Sequence, residues 1–228
     1  VFEVPFVRDM LPTLSVRLPA AYVVERSALA TIERIEAHGL QHFRITRTLE
    51  VPAQGWRIGQ PQFATRPFEG RLGLASFSAQ RLARTRTFVA GSVVVPMDQA
   101  GAGVAAHLFE PEAPDSLLRW GFYNAQFETK EYADARNLEQ IARDLLAAQP
   151  ALRTEFDRRL QDPAFAADPD ARLAFFFERS LYADPQWGVL PVWRIDRTTL
   201  ARLRESSAAE SAIPRVQPGN DDPAQDLP

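Results

Sequence analysis

The chain has 228 residues, 46% of them hydrophobic, and a formal charge of −3 from 26 basic and 29 acidic side chains. That is ample for a sizeable core, either in one large domain or in a compact domain with an appended subdomain, and it gives no electrostatic reason to expect nucleic acid or an anionic membrane as partner. There is no cysteine, which removes disulfides, thiolate metal ligands and a cysteine nucleophile, and no run of about 18 apolar residues long enough to span a membrane.

The chain opens on Val1 with no basic-then-apolar signal segment, so a processed or truncated piece of a longer protein is expected. Leu14, Val16 and Leu18 alternate with Ser15 and Arg17, the period of a half-buried strand. Tyr22-Val23-Val24 reads as a second strand. Ser27 then offers an N-cap, Leu29, Ile32 and Ile35 recur at helical spacing, and Gly39 stands where a left-handed C-cap is wanted, which predicts a helix over 28–38. Phe43 and Ile45 alternate with Arg44 and Thr46, completing a strand-helix-strand unit.

Residues 47–95 carry short alternating runs broken by Pro52, Gly55, Pro61, Pro67, Gly70 and Gly91, the pattern of a strand-rich meander or small sandwich. A short helix is expected within Asp98–Glu110, stopped by Pro111 and Pro114. The second half reads as helical: from Asp115 or Ser116 to about Lys130, from about Tyr132 to Ala148, from Ala151 to Leu160, and after Asp162-Pro163 and Asp168-Pro169, two pairs placed as N-cap and first helical residue. Leu190 to Ile195 reads as a returning strand. Beyond about Ser206 the composition is too poor in apolar residues to offset its ordering entropy, so a disordered tail is expected over 206–228. The fold class is therefore α+β: a β-rich N-terminal half over 1–110 containing the strand-helix-strand unit, then a mainly helical C-terminal half over 111–205.

Chemistry-bearing patterns are sparse. His38 and His42 have no carboxylate at a helical partner position and read as surface groups. His107-Leu108-Phe109-Glu110 spells H-x-x-E, a weak candidate for zinc, since a catalytic zinc needs a third protein ligand and no histidine follows. There is no G-x-S-x-G. Arg81, Arg84 and Arg86, interleaved with Thr85 and Thr87, read as the solvent face of a strand. In PDSLLRWGFYNAQFETKEY, residues 114–132, helical phase gathers most of the rings into one broad apolar band. Arg119, Trp120, Asn124, Glu128, Lys130 and Glu131 then form a structural or interface cluster around the chain's only lysine. No catalytic or cofactor-binding set is complete.

Several separated stretches in one order resemble the C-terminal region of bacterial proteins of the zinc carboxypeptidase family. They are GSVVVPMDQ (91–99), LFEPEAPDS (108–116), WGFYN (120–124) and FETKEY (127–132), supported by PAAY (19–22), FEGR (68–71), DPAFA (162–166) and LPVW (190–193). In that family a carboxypeptidase A-like catalytic domain comes first and carries the zinc, held by H-x-x-E and a later histidine, with a glutamate base and arginines that grip the substrate carboxylate. None of those positions maps onto this sequence. The resemblance implies a non-catalytic accessory module of a periplasmic or secreted protein, with zinc in the parent's catalytic domain rather than in this segment. That upstream domain of the same chain would be its partner, and the module would cover or stabilise it or mediate association, including as a homodimer. Two alternatives remain open: a module binding peptide or cell wall through Trp56, Trp187 or Trp193, and an independent enzyme using Lys130 with Glu128 and Glu131.

Overall fold

The computed structural model describes residues 4, 12, 14–128 and 134–211. Its strands are β1 (Ala21–Val24), β2 (Phe43–Arg44), β3 (Leu49–Phe63), β4 (Leu74–Phe88), β5 (Val93–Pro96) and β6 (Val192–Ile195). Its helices are α1 (Leu29–Ala37), α2 (Ala102–Phe109), α3 (Ala135–Ala148), α4 (Pro150–Arg159), α5 (Pro163–Ala167), α6 (Pro169–Phe177) and α7 (Arg197–Ser211), with a 3-10 turn at Asn124–Phe127. Strands crowd the first half and helices the second, so the α+β fold with a β-rich N-terminal half is what the structure contains.

The six strands form one antiparallel sheet in the order β2-β5-β1-β6-β3-β4. β1 lies between β5 and β6, with Tyr22 opposite Val95 on one side and Arg194 on the other. All three of these strands are buried along their whole length, which is why β1 and β5 read as continuous apolar runs rather than alternating ones, and β6 does so apart from Arg194. The chain divides into two compact units that are interleaved in sequence: 1–56, 81–119 and 191–228 in one, 57–80 and 120–190 in the other. The sequence reading had divided the chain at residue 110.

In the first unit the core is built from β1, β5 and β6 with Ile32 and Ile35 of α1, Leu108 and Phe109 of α2, and Leu200 and Leu203 of α7. In the second unit α6 packs against α3 and α5, around Leu152, Phe165, Phe175 and Phe176. Phe156 brings its ring to 4.7 Å of Phe176 and 5.3 Å of Phe175. Each such buried ring contributes about 1.5–3 kcal/mol.

Four sequence expectations change. Leu14–Leu18 has no strand, and Leu14 and Leu18 are exposed; alternation alone does not make a strand without a ladder partner. The meander of short runs is instead two 15-residue strands, β3 and β4. Pro52, Gly55 and Pro61, read as breaks, are absorbed within β3, where Gln60 takes a left-handed φ of +50° and Gly59 leaves room for the Ser78 side chain, while Pro67 and Gly70 fall between β3 and β4 and Gly91 between β4 and β5. No α-helix forms over Asp115–Glu128, only the 3-10 turn at Asn124–Phe127. Gly121 sits at φ +73° with the Leu72 carbonyl 2.3 Å from where a Cβ would be, so the chain turns there. Lastly, α7 continues to Ser211, past the Ser206 boundary of the expected tail, and the rest of that tail, 212–228, lies outside the described residues.

Candidate functional site

The one glutamate buried among the described residues of the first unit is placed by the way α2 ends. Phe109 closes the helix, Glu110 is extended at φ −79° and ψ 123°, and Pro111 cannot continue it. The loop then folds back on its helix: the Leu117 N–H donates to the Leu108 carbonyl, and the Ser116 hydroxyl donates to the Pro111 carbonyl while accepting from the Arg119 N–H. Glu110 is thereby turned toward the sheet. Its Oε1 accepts from the Tyr22 hydroxyl at 2.5 Å and from Arg194, whose guanidinium also donates to the Arg17 carbonyl. The side chains of Glu110 and Arg194 are only 5% and 7% exposed.

Glu110, Arg194 and Arg17 form part of the wall of a cleft of about 1920 Å³, whose sheet side carries Gln54 and Trp56 of β3 and Arg81 and Thr85 of β4. Arg81 stacks over Trp56 at 4.7 Å, and Arg204 pairs with Asp98 at 3.3 Å. Burial, then the hydrogen bond and the charge of Glu110, push the Tyr22 hydroxyl well above its ordinary value near 10. A general acid or base works best with a pKa near the operating pH, so Tyr22 is a fixed donor that pins Glu110.

That shift has a sign. A group held protonated by the fold contributes stability that is complete below its unfolded pKa of about 10 and is lost as pH rises above it. The thermal stability of Tyr22→Phe is therefore expected to lie below that of the parent at pH 7, with the gap narrowing as pH rises above about 10. Thermal melts of both proteins at several pH values between neutral and alkaline check this.

On the other face of the sheet, Trp193 lies flat across Gly55, where an added Cβ would meet the ring at 2.7 Å. The indole thus reaches over β3 to β4, where Arg84 and Arg86 stand 4.9 and 5.1 Å from its centroid and Phe88 packs edge-on at 6.4 Å. Its Nε1 donates to Glu25 at 2.8 Å, and Glu25 accepts in turn from Arg86 at 2.6 Å. A third clamp is Gln99, whose side chain accepts from the Gln41 N–H and donates to the Gln41 carbonyl and to Pro96.

No family model, curated protein or solved structure matches the chain.

The sequence-derived candidates are dispersed. His107 is exposed in the last turn of α2 whereas Glu110 is buried with Oε1 already engaged, so the two do not present paired donors to one ion. Among the described residues, no group of three or more His, Asp or Glu side chains able to hold a metal comes together. Arg119 belongs to the first unit, and Trp120, Asn124 and Glu128 to the second. Within the second unit the rings expected on one helical band go to separate partners: Trp120 to Phe68 at 6.1 Å, Phe122 under Arg71 at 3.5 Å, and Phe127 to Phe63 and Trp187. Asn124 donates to the Leu72 carbonyl at 2.8 Å, and Glu128 is exposed. Lys130 and Glu131 lie outside the described residues. Trp193 is fully buried and cannot dock a ligand, while Trp56 and Trp187 are half-buried. Arg84 and Arg86 are half-buried against Trp193, and it is Thr85 and Thr87 that face solvent.

Sequence reading missed Tyr22, Arg194 and Glu25. One signal was available: Arg194 interrupts the apolar strand Val192-Trp193-Arg194-Ile195, and a charge in such a run needs a buried partner.

Proposed function

We propose that this chain is a non-catalytic accessory module of a zinc carboxypeptidase-like protein, acting in the periplasm or outside the cell. There it covers or stabilises a carboxypeptidase A-like catalytic domain or mediates its association. The resemblance of the separated motifs supports the partner. The accessory role is supported by one structural observation: polar side chains of those motifs are committed to the module's own framework. Glu110 of LFEPEAPDS holds Tyr22 and Arg194, and Ser116 of the same motif bonds its own loop. Gln99 of GSVVVPMDQ clamps Gln41, Asn124 of WGFYN holds Leu72, and Trp193 of LPVW bonds Glu25. Side chains so engaged preserve a shape. The zinc of the family belongs, on this reading, to the catalytic domain, and no step of hydrolysis runs through this chain. No described helix is long and apolar enough to cross a membrane.

The purified chain, supplied with zinc and peptides bearing a free C terminus, is expected to release no C-terminal residue above the buffer rate and to retain no stoichiometric metal after dialysis. Stoichiometric zinc together with release of C-terminal amino acids contradicts the proposal.

A further inference from the structure

We infer that the cavity of the second unit is a binding site for an extended peptide bearing a basic side chain; this rests on that unit alone and not on the partner proposed above. The cavity measures about 1090 Å³ and is lined by four aromatic rings, Phe127, Phe177, Tyr182 and Trp187. That is room for a short peptide rather than for a single ion.

Its charge is acidic. Four carboxylates line it against two guanidinium groups, and both of those are engaged. Arg57 donates to the Pro185 carbonyl at 2.6 Å, and Arg179 pairs with Glu155 at 2.9 Å and with Glu178, itself on the lining, at 3.6 Å, so the lining keeps an excess of two carboxylates. Asp184 accepts from the Gln186 N–H. Among the described residues neither Glu128 nor Asp170 pairs with a cation. Rings beside carboxylates favour a cation, through ring-face attraction and Coulomb attraction together. The unit uses that chemistry internally: Arg179 lies 3.8 Å from the Phe175 centroid while pairing with Glu155. A neutral sugar could stack on the same rings but would gain nothing from the carboxylates.

The wall is also built to hold its form. Gly188, at φ +70°, donates to Gln126 at 2.9 Å and accepts from the Ile58 N–H at 2.8 Å, which fixes Trp187 beside β3. Gln60, in a left-handed conformation costly for a residue with a side chain, lies on the cavity lining.

Calorimetric titration of the full chain with capped Ala-Arg-Ala, Ala-Leu-Ala and Ala-Glu-Ala, and with an N-acetylglucosamine trimer, tests this. Saturable binding is expected for the arginine peptide alone, weakened by added salt, about fivefold weaker in Asp170→Asn and about tenfold weaker in Trp187→Leu. Asp170 is exposed, so its substitution leaves folding intact and carries the test if Trp187→Leu is unstable. Absence of saturable binding by the arginine peptide, equal binding of the leucine or glutamate peptide, binding of the saccharide in its place, or indifference to Asp170→Asn overturns the inference.

Discussion

Glu110→Ala is expected to destabilise the folded protein by about 3–5 kcal/mol, because it strands the Arg194 guanidinium in a buried place with its carboxylate partner gone. Against a typical stability of about 5–15 kcal/mol, that is enough to unfold a large fraction of the protein at elevated temperature. The Tyr22 hydroxyl loses its acceptor in the same step. If the network is a structural lock, a double substitution Glu110→Leu with Arg194→Met should recover most of the loss, since an apolar pair of similar volume avoids the desolvation cost. Denaturant titration of Glu110→Leu, Arg194→Met and the double variant reads this as a non-additive cycle. Additive losses would mean that Glu110 and Arg194 act apart.

The second large effect falls on the opposite face of the sheet. Trp193→Ala removes a fully buried indole and should cost about 3–5 kcal/mol. Gly55→Ala, smaller in chemistry, places a methyl group where the ring lies and should cost about 1–3 kcal/mol by overpacking. The two are coupled through one contact. Gly55→Ala introduced on a Trp193→Leu background should therefore cost less than on the parent, and equal cost on both backgrounds would contradict the flat placement of the indole on Gly55.

Local structure was legible where the signal is local. Leu29, Ile32, Ile35 and Gly39 marked α1, although Ala28 rather than Ser27 stands at its N-cap and Leu29 is exposed, and Asp162 and Asp168 cap α5 and α6 through bonds to Ala164 and to Asp170 and Ala171, as the two Asp-Pro pairs implied. The order of the sheet was not legible, because β1 finds its neighbours in β5 and β6, far along the chain. The candidate site was hidden for the same reason: Tyr22 and Glu110 lie 88 positions apart and Arg194 lies 84 beyond Glu110. The ring-rich stretch misled differently. Helical phase gathered its rings on one face, yet Gly121 reverses the backbone and sends Trp120, Phe122 and Phe127 to different partners.

The accessory role is tested most directly by the thermal unfolding of the carboxypeptidase A-like zinc domain that the proposal places upstream in the same reading frame, measured with and without this chain added in trans. A ligand that binds only the folded state raises the apparent unfolding temperature with concentration. The proposal predicts such a saturable rise, with the domain's zinc content unchanged. An unfolding temperature and turnover both indifferent to saturating amounts of the chain would contradict it.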